Sequence, residues 1–174
     1  MSKEMVSIRM ATPEDAEAIA IFSRQAFFDT FAPFNTKENM DKFLKEQFGK
    51  EMLMAETGDE RNIFLAAETG GALTGYALMR ETENPPELGD ARAIEIVRIY
   101  AGLQCVGKGV GSALMDKCIS IAREKRKELV WLCVWEHNRR AIDFYLKKGF
   151  ERFGVRLFML GDDPQNDWMM KKII

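Results

Sequence analysis

The chain is poor in the residues that carry metal, redox and thiol chemistry. Its 174 residues hold three cysteines and one histidine. Cys105, Cys118 and Cys133 are an odd number, at spacings that suit neither zinc ligation nor a disulfide framework, so no metal is expected and a reducing cytoplasm fits best. His137 stands alone with no acid evident to orient it, and reads as a surface residue. An excess of one charge is missing too. Lys and Arg number 25 against 27 Asp and Glu, a formal net charge of −2, and the signs are scattered, so nucleic acid is not the expected ligand. No apolar run approaches the length of a bilayer span, and Met1-Ser2-Lys3-Glu4 leads into a strand-like stretch rather than an apolar export segment. Neither a repeat nor a low-complexity linker divides the chain. What remains, at 47% hydrophobic residues, is enough for one sizeable core, and a single domain over 1–174 is expected.

Strand and helix signals alternate along the chain. Val6 to Met10 reads as a strand. Thr12-Pro13-Glu14-Asp15 then offers a cap, a proline at the first helical position and early acids, predicting a helix over about 13–30. Ala16, Ile19, Ala20, Phe27 and Phe31 recur on its core side. Thr36 can cap a second helix carrying Met40, Phe43, Leu44 and Phe48. Ile63 to Glu68 and Leu73 to Arg80 read as strands joined by a Thr69-Gly70-Gly71 hairpin turn. Glu81 to Asp90, with Pro85-Pro86 and Gly89, is a loop.

The second half is more regular. Ala93 to Tyr100 is a strand and Gly109 to about Lys125 a helix. Leu129 to Trp135 is so continuously apolar that it predicts a strand covered on both faces. Asn138 opens a further helix that Gly149 ends. Phe150 to Leu160 and Trp168 to Ile174 complete the set around an acidic turn. The consistent assembly is a mixed sheet with helices on both faces.

Between the first strand and helix of this half lies Val106-Gly107-Lys108-Gly109-Val110-Gly111-Ser112. Three alternate glycines expose amide groups at a helix start, where a phosphate-like anion is favourably held, so the segment predicts a nucleotide-type cofactor. Other glycine-loop readings fit less well. A dinucleotide fingerprint needs a different glycine spacing after the first strand of its unit. Gly102 to Lys108 spells most of a triphosphate-binding loop, but Gly109 stands where a Ser or Thr must reach magnesium. A glycine turn serving only tight strand-to-helix geometry stays open.

Together with Glu95 to Tyr100 and Trp131 to Val134, this loop and the run Asn138-Arg139-Arg140-Ala141-Ile142-Asp143-Phe144-Tyr145-Leu146-Lys147-Lys148-Gly149-Phe150 closely resemble the GCN5-related N-acetyltransferase (GNAT) family. Phe28 to Phe31, Ile94 to Ile96, Val134 to Glu136 and Leu160 to Asp163 are similar to the bacterial PaiA-type polyamine acetyltransferases within it. The resemblance implies an α/β GNAT fold, with a central mixed, mostly antiparallel sheet of six to seven strands. It implies acetyl-CoA as cofactor, with the amides of Val106, Gly107, Lys108, Gly109, Val110, Gly111 and Ser112 on the pyrophosphate. Ile99, Tyr100 and Ala101 would pair with the pantetheine arm, with Asn138, Phe144 and Tyr145 beside it. Two positions depart from the family pattern. Val106 stands at the usual Gln or Arg, and Val97 where the PaiA-type strand carries a second acid.

Acetylation of an amine needs a base for the amine proton and an acid for the departing thiolate. Tyr145 lies at the family's acid position, and a phenol keeps its proton at neutral pH. Glu95 is the candidate base, since a carboxylate on a central strand is costly to bury without a partner; a simple pair with Arg98 or another cation is the alternative. For the acceptor, Asp29 can attract an ammonium while Phe28, Phe31 and Phe34 line a pocket for an alkyl chain, with Trp135 at the cleft. Core packing of these aromatics stays open. The expected partner is a small-molecule amine such as spermidine or spermine, and the protein a monomer or homodimer. A protein or peptide N-acetyltransferase, and an acetyl-CoA-binding regulatory module that transfers nothing, are the alternatives.

Overall fold

A computed structural model of the chain describes residues 5–174; Met1 to Glu4, on which the export-signal reading partly fell, lie outside them. Strand β1 (Val6–Met10) is followed by a 3-10 turn at Pro13–Asp15 and helix α1 (Ala16–Phe31). Another 3-10 turn at Ala32–Phe34 precedes helices α2 (Lys37–Glu46) and α3 (Lys50–Glu56). Strands β2 (Asn62–Thr69), β3 (Ala72–Arg80) and β4 (Ala93–Ala101) come next. Helix α4 (Val110–Glu124), strand β5 (Leu129–Trp135), helix α5 (Arg139–Lys147) and strands β6 (Glu151–Leu160) and β7 (Asp163–Ile173) complete the fold.

The seven strands form one sheet in the order β1-β2-β3-β4-β5-β7-β6. Only β4 and β5 run parallel; every other pair is antiparallel. The mixed, mostly antiparallel sheet expected from the sequence is therefore present. Val110, Leu114, Ile142 and Tyr145 of α4 and α5 pack with Ile94, Ile96, Val130 and Leu132 on one face. On the other, Phe27, Phe31, Phe43 and Leu53 of α1 to α3 gather with Trp135 and Leu160. Strand β5 lies between these layers with six of its seven residues buried, as its unbroken apolar run requires. Gly75 admits α4 to the sheet, because a Cβ there would sit 2.8 Å from Val110 and 2.7 Å from the Tyr100 carbonyl.

Three elements differ from expectation. Helix α3 was not foreseen: its seven residues bury only Leu53, too little for a helical period to show. Phe48 lies beyond the end of α2 rather than on it, and is 5% exposed. Its ring joins those of Phe27 and Phe43. Strand β7 begins at Asp163, five residues before Trp168, since pairing with β6 from Leu160↔Asp163 onward extends it through a polar stretch.

Two irregularities in β4 position the site. Leu78 of β3 faces Arg98 while Met79 faces Ile96, so Val97 is the extra residue of a β-bulge. Pairing of β4 with β5 stops at Ile96↔Leu132. Beyond that point β4 continues on β3 to Ala101 and β5 continues on β7 to Trp135, and the two part company. The sheet is split by a wedge at its centre.

Candidate active site

A cavity of about 1220 Å³ runs through this wedge and is lined by residues from both faces of the sheet. On the α4 side its wall is the glycine loop. Gly107 and Gly109 hold φ values of 77° and 91°, a region L side chains rarely adopt. The first bond of α4 runs from the Ala113 amide to the Gly109 carbonyl at 2.9 Å. The amides of Val110, Gly111 and Ser112 thus precede the helical ladder, and no side chain caps them. Nothing lies within 4 Å of a Cβ built at Gly107 or Gly109. Open space, unpaired donors and the positive end of a 15-residue helix suit a pyrophosphate.

The other walls on this side come from β4 and α5. Ile99, Tyr100 and Ala101 line the wedge, and with no β5 residue paired to them they present an edge strand. Asn138, Phe144 and Tyr145 line it from α5. The Asn138 side-chain oxygen accepts the Ala141 amide at 3.2 Å and so caps the helix. Tyr145 is 7% exposed and packs against Phe144 and Phe150. Burial pushes its phenol well above the ordinary value. Val106 and Ser112 also reach the cavity, whereas the side chains of Lys108 and Val110 do not: Val110 is buried in the core and only its amide serves the loop.

Glu95 enters from the other face. It is one of three buried polar residues among those described, at 7% exposure. Loss of water raises its carboxyl above the ordinary value, while Arg156, Thr82 and Arg80 draw it back. The Thr82 hydroxyl donates to its Oε2 at 3.2 Å. Arg98 does not pair with it. That guanidinium instead makes a two-point bridge to Glu56 of α3 at 2.7 and 2.9 Å and lies 4.8 Å over the Phe48 ring. The alternative of a plain Glu95–Arg98 pair is thereby removed, because the unforeseen helix α3 supplies the counter-ion.

The acceptor candidates divide. Asp29, Phe31 and Trp135 line the cavity, but Phe28 and Phe34 do not. Phe27 and Phe31 lie four residues apart on the inner face of α1, and Phe28, a helical step away, is 46% exposed. Phe34 is 67% exposed and lies against Trp135, with 5.3 Å between ring centres and the rings tilted. Asp29 accepts from the Gln25 amide at 2.7 Å. His137 is exposed at the surface, beside Glu136.

Sequence reasoning missed Arg156 and Asp167, cavity residues directly opposite one another on β6 and β7. The signal for Asp167 shows only with the full length of β7 in hand. Once β7 is carried back to Asp163, period-two alternation puts Gln165, Asp167 and Met169 on one face. Cys133 also lines the cavity, and burial pushes its thiol up to about 12. No group of His, Cys, Asp and Glu among the described residues is arranged to hold a metal. Nor is any described helix long and apolar enough to cross a membrane.

Known proteins share this architecture. An uncharacterised N-acetyltransferase of Lactobacillus delbrueckii subsp. lactis is 33% identical over 169 residues, 97% of this chain and 98% of that protein. The spermidine N(1)-acetyltransferase of Thermoplasma acidophilum is 24% identical over 171 residues, 96% of each. The crystal structure of the PaiA N-acetyltransferase from Thermoplasma acidophilum, in complex with coenzyme A, superposes with a TM-score of 0.77 at 23% identity, covering 98% of this chain and 99% of that one. The model of the acetyltransferase (GNAT) family matches residues 24–150, a span that takes in the glycine loop, the wedge and Tyr145, and the chain belongs to that family.

Proposed function

We propose that the protein transfers an acetyl group from acetyl-CoA to a primary amine of a polyamine such as spermidine or spermine, by direct attack, with Glu95 as base and Tyr145 as acid. One observation carries the reading: a single cavity reaches Glu95 from one face of the sheet and Tyr145 from the other, through the wedge between β4 and β5. The glycine-loop amides and the edge of β4 suit the pyrophosphate and arm of acetyl-CoA, which when bound supplies the activated acyl carbon. A main-chain donor at Ile99 or Tyr100, on the stretch of β4 that no β5 residue pairs, can polarise an acyl oxygen in the wedge. Glu95, its carboxyl raised by burial, takes the proton an ammonium must lose before it can attack. Tyr145, held protonated by its own burial, gives a proton to the leaving sulfur. Cys133, with a thiol kept protonated near neutral pH, is poorly placed to carry the acyl group itself.

The acceptor face supports a cationic, partly apolar substrate. Asp29, Glu95 and Asp167 line it with the rings of Phe31 and Trp135. The relative from Thermoplasma acidophilum that bears a spermidine acetyltransferase name is in keeping with this.

The test is thiol release from acetyl-CoA with spermidine, spermine, monoamines and peptides as acceptors. Polyamine-dependent release is expected, and Tyr145→Phe should lower kcat at least about a hundredfold while coenzyme A still binds. Release with peptides alone would replace this reading with a peptide acetyltransferase. Tight coenzyme A binding with no release from any acceptor would make the protein a binding module.

A further inference from the structure

Asp167 is the least explained charge in the cavity. Its Oδ1 is buried with no hydrogen-bond partner. Arg156, directly across from it on β6, eases its ionisation without making a close ion pair, since that guanidinium lies toward the Trp131 ring, 6.0 Å from its centre. The remaining charged or titratable neighbours are Glu136, just past β5, which makes ionisation harder, and Tyr100 on β4 and Cys133 on β5, which both feel the carboxylate. A carboxylate left without a partner in a lined cavity is costly unless something arrives to meet it.

Its position relative to Glu95 follows from register. Glu95 faces Trp131 and Asp167 faces Trp135, both across β5. Four residues of strand and two strand spacings separate the acids, about 13 Å along β5 and about 10 Å across it between backbones. Between them the cavity wall is Cys133, Trp135 and the aromatic cluster under α1. Such a surface holds an alkyl chain and leaves a charge for each end.

We propose that Asp167 binds a second ammonium group of the acceptor, distal to the one that is acetylated, and so selects extended diamines and polyamines over monoamines. The assignment rests on the amine-acetyltransferase reading and deepens it. Glu95 handles the reacting nitrogen, and Asp167 holds the other end of the molecule in a charge-assisted hydrogen bond.

The experiment compares diaminobutane, diaminooctane and spermidine with octylamine, for wild type, Asp167→Asn and Asp167→Glu. Asn keeps the shape and removes the charge; thermal melting confirms that each variant folds. The wild type should prefer spermidine and diaminooctane to octylamine in kcat/KM. Asp167→Asn should lose about 10- to 100-fold on the diamine and spermidine, mostly through KM, and far less on octylamine, so that the diamine-to-octylamine ratio falls. Asp167→Glu should recover part of the loss. An unchanged diamine-to-octylamine ratio overturns the proposal. Equal loss on both amines, carried by kcat, also overturns it and makes Asp167 a proton acceptor instead. Should the wild type acetylate none of these amines, the polyamine reading fails on its own. Calorimetry of spermidine with the coenzyme A complex then still decides Asp167: heat with wild type and none with Asp167→Asn supports it, and equal heats reject it.

Discussion

On the α4 face of the wedge the anion-binding part of the site is backbone from a single stretch, Val106 to Ser112, whereas on the α1 face the site is side chains drawn from α1, β4, β5, β6 and β7. The loop's geometry needs two glycines at positive φ and a helix start, all local properties. The opposite face needs strands remote in sequence to deliver Glu95, Asp167 and Trp135 to one space. On the proposed reading, backbone donors meet what every acyl-CoA shares, a diphosphate and an amide-bearing arm, and tolerate side-chain change. Side chains distinguish one amine from another, and that half is where relatives can diverge without disturbing the donor site.

The contrast can be broken most severely at Glu95. Removing its charge by Glu95→Gln should lower kcat/KM at least about a hundredfold with coenzyme A affinity intact. Because burial raises this carboxyl, wild-type kcat/KM should climb with pH through a value above the ordinary 4.5, as the base form appears, and the variant should lack that limb. A pH–rate profile with the same acid limb in both proteins would move the base elsewhere.

Gly109→Ala tests the backbone half. No atom lies within 4 Å of the added Cβ, so the cost comes from φ alone, about 1–2 kcal/mol. Coenzyme A affinity should weaken about tenfold while the relative rates on different amines stay fixed. A changed acceptor order would show that the two halves are not separable.

The smallest effect concerns stability. Asp167 has its pKa pushed up from 3.8 to about 6, chiefly by desolvation. The fold therefore disfavours its ionised form: the cost is absent below about pH 4, grows as pH rises toward 6 and is complete above it. Asn never ionises. Asp167→Asn should melt a few degrees above wild type at pH 8 and together with it at pH 4, by scanning calorimetry. Lower stability at pH 8 would mean that Arg156 compensates the charge after all.

Much of this was legible in the chain. The glycine loop, the Asn138 cap and the helix bearing Phe144 and Tyr145 occupy contiguous residues whose spacing carries their geometry. Strand β5 announced its double burial by composition. Helix α3 was illegible because one buried leucine in seven residues has no period. Asp167 was hidden because its stretch of β7 is polar and is held straight by β6 rather than by its own pattern. Phe28 and Phe34 looked like pocket residues only because aromatic spacing does not reveal which ring a helix turns outward.

The sequence by itself determined the glycine loop, the helix carrying Tyr145 and, apart from α3, the order of elements, since local spacing and turn chemistry dictate each of them. Only the tertiary structure decided that β4 bulges at Val97 and leaves β5 after Ile96, that Arg98 is claimed by Glu56, and that Asp167 joins Glu95 around one cavity. Those outcomes depend on pairing between strands far apart along the chain, where register is set by every contact at once and by no single motif.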